Sequence, residues 1–343
     1  MPAGHDQFDH DLVARVLGEP VPRAVLQMLS GSDRLNMTRL ALNLAGHVNG
    51  VARRHREVSQ GMFPEYAISS VTNGVHSVTW TSEPFRILYD RHVPGWREEP
   101  TLLRQAMRIP AEELWRAHGE AKRSLLMEVK RLTGRTLSED ALTIGFARRA
   151  TAYKRADLIF SDLARLRAIR RMGPLQLVYA GKAHPRDEGG KELIRRVMRF
   201  ARELDEEIPV VYLPDYGVEL AKLLVAGVDL WLNTPRRPME ASGTSGMKAA
   251  HNGVPSLSIL DGWWIEGHVE GVTGWSIGRA EAGTETDADD AADLYAKLPI
   301  VLETFQHAPE RWAAMMRSVI ALNASFFNTY RMVLEYATNA YLL

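Results

Sequence analysis

The sequence predicts an α/β protein whose centre, at about 140–280, is a doubly wound parallel sheet with helical flanks. Three observations predict it. Five short runs are apolar on both faces instead of alternating, as strands covered by helices on each side are. Between them lie amphipathic stretches, the clearest being Lys191–Leu204, which places Leu193, Ile194, Val197, Met198 and Ala201 on one face. Small and basic residues follow the runs, where such a sheet presents its ligand edge.

From the N-terminus, NMTRLALNLAGHVNGVARRH (36–55) reads as one helix with an apolar stripe at Leu40, Leu44, Val48 and Val51, and Pro110–Arg131 reads as another. The strands follow: LTIGF (142–146), LQLVYAG (175–181), PVVYLPD (209–215), VDLWLN (228–233) and PSLSILDG (255–262), which closes the set. A basic turn and a helix near Lys154–Ile169 separate the first two. The Lys191–Leu204 helix, another at Val218–Val225 and one starting near Gly246 fill the later gaps. The acidic stretch Glu281–Asp290 reads as an exposed loop entering a helix N-terminus, where the dipole favours carboxylates. Ala291–Thr304 is helical. So is the tail from Pro309 to Leu343, rich in aromatics at Trp312, Phe326, Phe327, Tyr330, Tyr336 and Tyr341. The chain thus divides into a helical segment at 1–135, a sheet domain at 136–280 and C-terminal helices at 281–343.

The 343 residues suffice for two domains. Lys+Arg and Asp+Glu balance at 42 each, which argues against a general polyanion binder and hence against nucleic acid as a partner. With no cysteine there are no disulfides, cysteine zinc sites or thiol nucleophiles, and the composition suits a cytoplasmic location. No run of about 18 apolar residues occurs, and the N-terminus lacks a basic start followed by an apolar core. Neither a membrane span nor a secretory signal is therefore expected. The 11 histidines show no metal-ligand spacing, and GxxxxGK[ST], HExxH and a GxGxxG after a strand are absent.

The most unusual stretch is EASGTSGMK (240–248). Ser242, Gly243, Thr244, Ser245 and Gly246 follow a strand, and small residues there let backbone N–H groups approach an anion. Lys248 reads as lying in the first turn of the next helix, where the dipole disfavours an ammonium and favours a nucleophilic amine. The plain alternative is a Gly-rich strand–helix turn with a solvated lysine. In ARRATAYKR (147–155), Arg148, Arg149, Lys154 and Arg155 form a candidate phosphate site, and GKAHP (181–185) repeats the device with Lys182. Ser245 to Lys248 also fits S-x-x-K, but no K-T-G follows. Trp263 and Trp264 read as core more than as a ring-binding pair. Asp261 and Glu266 read as surface carboxylates more than as an acid–base pair.

These blocks, with VTNGVHSVTW (71–80), VYAGKAHP (178–185), VVYLPDYGVELAKLLVAGVDLWLNTPRRPMEASGTSGMKAAHNGV (210–254), LDGWWIEG (260–267) and YRMVLEYATNAYL (330–342), resemble the α-glucan (glycogen, starch, maltodextrin) phosphorylases, bacterial and archaeal branch. The resemblance implies the C-terminal Rossmann-like lobe of a two-lobe glycosyltransferase fold and pyridoxal phosphate as cofactor. It implies a Schiff base on Lys248, and a cofactor-phosphate cradle of Gly243, Thr244, Ser245 and Arg148, with Trp80 and Tyr216 beside it. Gly217 replaces an arginine of the animal enzymes, which removes one phosphate contact. By the same resemblance Arg149 and Lys154 hold the substrate phosphate, and Asn73, Tyr153, Glu240, Ser242 and Gly243 contact the glucosyl unit. The implied reaction is reversible phosphorolysis of α-1,4-glucan to glucose 1-phosphate. Family members are more than twice as long, so the resemblance implies a half lacking its N-terminal lobe, with a complementary lobe or a second copy as partner and little activity alone. Phe326, Phe327, Tyr330 and Tyr336 are then expected to be exposed. Two other readings are a nucleotide-sugar glucosyltransferase, as in glycogen synthase, and an inactive glucan- or phosphate-binding half.

Overall fold

A computed structural model describes residues 4–18, 21–278 and 286–342. Its centre is a six-stranded parallel sheet: β1 (Leu142–Ala147), β2 (Leu175–Ala180), β3 (Val210–Leu213), β4 (Leu230–Asn233), β5 (Ser256–Ile259) and β6 (Gly274–Ile277). The spatial order is β6-β5-β4-β1-β2-β3. Neighbouring residues of a strand enter different cores. Leu142, Ile144, Phe146, Leu177 and Tyr179 join one apolar cluster, whereas Ala147, Val178 and Ala180 join a second on the opposite face. That is why the strands are mostly apolar on both faces.

Besides two single-turn helices at Ser77–Trp80 and Trp264–Gly267, the helices are α1 (His10–Leu17), α2 (Arg23–Ser30), α3 (Met37–Leu44), α4 (Arg53–Met62), α5 (Glu83–His92), α6 (Ala111–Thr133), α7 (Leu163–Met172), α8 (Glu188–Glu203), α9 (Val218–Gly227), α10 (Thr244–Ala250), α11 (Asp287–His307), α12 (Pro309–Ser318) and α13 (Thr329–Tyr336). Leu125, Leu126 and Val129 of α6 and Leu220, Leu224 and Val225 of α9 close one face of the sheet. Leu166 of α7, Leu193 and Val197 of α8, Leu294 and Leu298 of α11, and Trp312 of α12 close the other. A buried ion cluster ties α6 to the sheet: Asp229 accepts from His118 Nε2 (2.7 Å), Lys122 Nζ (2.6 Å) and Thr143 N (2.7 Å).

Several expectations need correction. The helix foreseen over 36–55 is two: α3 stops at Leu44, Asn49–Gly50 pairs in parallel with Ser69–Ser70, and α4 begins at Arg53. Leu44 is 67% exposed, so the apolar stripe was not a buried seam. The helix foreseen near Lys154 is replaced by two 3₁₀ turns, Ala152–Lys154 and Leu158–Phe160. Arg155 between them is left-handed, and the α-helix starts at Leu163 once Asp162 accepts from Arg165 N at 2.9 Å. The sheet does not close with the fifth strand; β6 adds a sixth. In the tail, a π-helical turn and residues 325–328 interrupt the helix before α13. Phe327 there is buried against Trp263, their rings 4.8 Å apart, contrary to expectation. Phe326 and Tyr330 are exposed, whereas Tyr336 is half-buried and its hydroxyl accepts from Asn49 Nδ2 at 3.0 Å. Of the acidic stretch, residues 281–285 lie outside the described residues; its later part opens α11 under a capping box of Thr286 and Asp289.

Candidate active site

Strand order reverses between β1 and β4, and in such sheets the crevice beyond those strand ends is where ligands sit. Arg148 is the first residue after β1, and Asn233 is the last of β4. The Arg148 guanidinium donates to Asn233 Oδ1 across the reversal and pairs with Glu240 Oε2 at 2.9 Å. Lys154 Nζ bonds the same Glu240 oxygen. All three side chains are nearly buried, so two cations share one carboxylate in a low-dielectric crevice. Burial pushes Lys154 down, and Arg148 adds to the effect, to about 8. Burial alone would raise Glu240; Arg148 and Lys154 outweigh it and hold the carboxyl below its usual value. Tyr153 lies against this cluster, with Lys154 Nζ 4.6 Å from its ring centroid.

The second part is α10. Gly243, at its N-cap, has φ 84°, a left-handed conformation suited to glycine, and no side chain caps the helix. The first-turn N–H groups of Thr244, Ser245 and Gly246 therefore have no intrahelical acceptor. Ser242 Oγ is buried with no hydrogen-bond partner. Ser245 Oγ accepts from Trp231 Nε1 (3.1 Å), which ties the turn to β4. A side chain on Gly246 would collide with Trp263, since an added Cβ would lie 2.7 Å from Cζ2.

Lys248 falls in the last turn of α10, not the first. The helix dipole is therefore not what disfavours its ammonium; burial is, and it pushes the amine below its ordinary value. Lys248 Nζ lies 3.8 Å from the centroid of Trp80, and no carboxylate pairs with it among the described residues. Trp80 and Tyr216 pack on the same apolar cluster. His251 pins α10 to the turn before Trp80: its ring nitrogens reach Met247 O (2.8 Å) and Ser77 Oγ (2.9 Å). Its burial pushes the imidazole down to about 4.

Other residues are less engaged. Arg149 and Lys182 are exposed near the strand ends without ion pairs among the described residues. Arg155 faces away from the crevice in its bonding: its guanidinium holds Thr234 O, Pro235 O, Asp287 and Asp290. Asn73 is fixed through its backbone, with N bonded to Val51 O (3.0 Å) and O to Arg331 (3.1 Å). Sequence reasoning missed Asn233 and undervalued two carboxylates. Asp261 and Glu266, read as surface groups, are both buried side chains. Their signal was position, directly beyond a strand of the ligand edge. Trp263 and Trp264 are core, as read. No group of three potential metal ligands occurs among the described residues. None of their helices is long and apolar enough to cross a membrane.

A parallel sheet with cations clustered beyond its strand reversal is an arrangement that α/β enzymes handling phosphate also use. Comparison with known proteins narrows the class. The model for the carbohydrate phosphorylases matches residues 6–273. The chain is 40% identical to the maltodextrin phosphorylase of Thermococcus litoralis over 376 aligned residues, covering 99% of this chain and 45% of that protein. It is 39% identical to the glycogen phosphorylase of Aquifex aeolicus, covering 90% and 50%. Against the glycogen phosphorylase of Mycobacterium tuberculosis the identity is 35%, covering 99% and 45%. The chain belongs to the carbohydrate phosphorylase family, and it spans about half the length of these curated relatives.

Proposed function

We propose that the chain is the cofactor- and phosphate-binding half of an α-1,4-glucan phosphorylase, acting on glucan and inorganic phosphate to give glucose 1-phosphate, with a complementary lobe or a second copy completing it. The observation that carries the reading is Lys248: a half-buried amine with no carboxylate partner among the described residues, on Trp80, in the helix that the Gly243 turn opens.

Pyridoxal phosphate fits these residues. Lys248 would hold it covalently, because an amine disfavoured as an ammonium is a ready nucleophile. The uncapped N–H groups of Thr244, Ser245 and Gly246, with the Arg148 guanidinium, would take its phosphate. Trp80 and Tyr216 would flank its ring. When bound, the cofactor supplies its own phosphate as the acid–base group beside the substrate phosphate. The chain's residues do the rest. Arg149, without a carboxylate partner among the described residues, and Lys154 hold the substrate phosphate, so that two anions tolerate close approach. Lys154 retains its Nζ proton at neutral pH and donates it as a hydrogen bond. Glu240, Ser242 and Gly243 face the glucosyl unit from one side, and Asn73 and Tyr153 complete the set. Ser242 Oγ, buried and without a partner, is suited to a sugar hydroxyl.

The test is borohydride reduction of the pyridoxal-phosphate-loaded chain followed by peptide mapping. The expected product is a pyridoxyl group on Lys248, and none in Lys248→Ala. An unmodified Lys248 in cofactor-saturated protein would overturn the reading.

A further inference from the structure

The segment after β5 touches the Glu240–Ser242 turn, α10 and Thr72. Asp261 Oδ2 accepts from Glu240 N at 2.8 Å, and Oδ1 accepts from Gly262 N at 2.9 Å. Trp263 N donates to Ser242 O at 2.8 Å. The Trp263 ring lies under Gly246 of α10. Glu266 accepts from Thr72 Oγ1 at 2.8 Å and from Arg53 N at 3.0 Å, and its side chain is 7% exposed. Thr72 directly precedes Asn73. Two buried carboxylates therefore stand behind the two segments that face the sugar, and neither reaches into the crevice through its own bonds.

We infer that Asp261 and Glu266 are positioning residues: Asp261 fixes the Glu240–Ser242 turn, Glu266 fixes Thr72–Asn73, and the four residues between them set the distance across which a glucosyl unit is held. The inference rests on the proposed phosphorylase reading. Its chemistry is that of acceptors. Asp261 engages a backbone N–H with each oxygen and is 1% exposed, so its bonds hold the backbone, and an ionised carboxylate is the strongest acceptor available to those donors. Replacing it by Asn turns one acceptor into a donor facing an N–H, which breaks a buried hydrogen bond and leaves the backbone group of Glu240 or Gly262 unsatisfied. The cavity shape changes little, since the two side chains are isosteric. Glu266→Gln leaves one acceptor for Thr72 Oγ1 and Arg53 N in place of two and removes the charge that faces Arg53 Nε at 3.4 Å, and Thr72→Val removes the hydroxyl donor from the opposite partner.

The experiment compares ligands that differ only in the sugar. Wild-type chain and the Asp261→Asn, Glu266→Gln and Thr72→Val variants are loaded with pyridoxal phosphate, and Lys248 occupancy is read by borohydride labelling. Binding of glucose 1-phosphate and of inorganic phosphate is then titrated by calorimetry, and amide exchange of the peptide containing Glu240 is followed by mass spectrometry. The expected result is unchanged Lys248 labelling, affinity for glucose 1-phosphate reduced about tenfold in each variant, and affinity for inorganic phosphate unchanged or slightly higher. In Asp261→Asn alone, exchange at Glu240 accelerates about tenfold. A general loss of structure would weaken both ligands together and labelling with them, and that outcome overturns the inference for the variant showing it; Thr72→Val keeps the test alive if a carboxylate variant does not fold. Variants that bind glucose 1-phosphate as wild type does overturn the inference alone. A wild-type chain that binds neither ligand and takes no label on Lys248 overturns the phosphorylase reading and the inference with it.

Discussion

Gly246→Ala separates two opposing effects at one position. Alanine in place of a helical glycine ordinarily stabilises a helix by about 1 kcal/mol. Here the added Cβ would lie 2.7 Å from Trp263 Cζ2, 3.2 Å from Cε2 and 3.3 Å from Ser256 Oγ. Comfortable carbon contacts begin near 3.5 Å, so helix and ring must part by about 0.8 Å. Trp263 cannot easily retreat, because it is 2% exposed and wedged between Trp264 and Phe327 at centroid distances of 5.2 and 4.8 Å. Overpacking of that size costs about 1–3 kcal/mol. The net expectation is a loss of roughly 1 kcal/mol, with α10 displaced by more than the ~0.5 Å that a preorganised site tolerates. Lys248, two residues on, moves with it, and pyridoxal phosphate affinity falls about tenfold. Urea unfolding reads the first quantity and an absorbance titration of the cofactor reads the second. Gly119→Ala is the control: it lies inside α6 and its Cβ would meet nothing nearer than the Arg123 side chain at 3.5 Å. It should gain up to about 1 kcal/mol. A Gly246→Ala chain as stable as the control and loaded at the parent's affinity would refute the reasoning.

Two further perturbations follow from buried charge. Lys122→Met removes one cation from Asp229 and the donor to Ala141 O, leaving a buried carboxylate with His118 and Thr143 N; a loss of about 3–5 kcal/mol is expected by urea unfolding. His251 has its folded pKa pushed from 6.5 down to about 4, so the unfolded chain takes up its proton first as pH falls. Its stabilising contribution is therefore complete above pH 6.5 and declines toward pH 4, by about 3 kcal/mol. Asp261, pushed up to about 6, works in the opposite direction, gaining stability for the fold as it protonates below pH 6. The clean measurement is thus the difference in slope: His251→Gln should lose less stability than its parent between pH 7 and 4, and parallel profiles would contradict the burial argument.

Much of the sheet was legible because a strand buried on both faces carries mostly apolar residues, and five of the six runs stood out despite the buried polar groups of Thr143, Gln176, Asn233, Ser256 and Ser258. β6 escaped because Gly-Trp-Ser-Ile is short and directly continues the turn-like stretch Gly271–Gly274, and its place at the edge is decided by pairing with β5. The turn 152–160 misread as helix shows tertiary bonds overriding periodicity: the buried guanidinium of Arg155 fixes a left-handed residue where the pattern alone would continue. At the site, residue type and spacing brought Arg148, Lys154 and Lys248 to one edge of the sheet. The reason given for Lys248 failed, since a helix of seven residues puts it in the last turn and burial replaces the dipole as the cause. The carboxylates 261 and 266 were illegible as buried groups, because their partners, Glu240 N and Thr72 Oγ1, are 21 and 194 residues away in sequence.

The Glu240 carboxylate sitting between Arg148 and Lys154 has a consequence for how a ligand enters. The crevice carries its own counter-ion, so two neighbouring cations fold there without facing one another across an empty space. On the function proposed above, an arriving phosphate would not fill a charged void but exchange with the anion already in place. The exchange would leave the Glu240 carboxylate beside the newcomer, able to accept from a sugar hydroxyl, so that occupation of one subsite would equip the next.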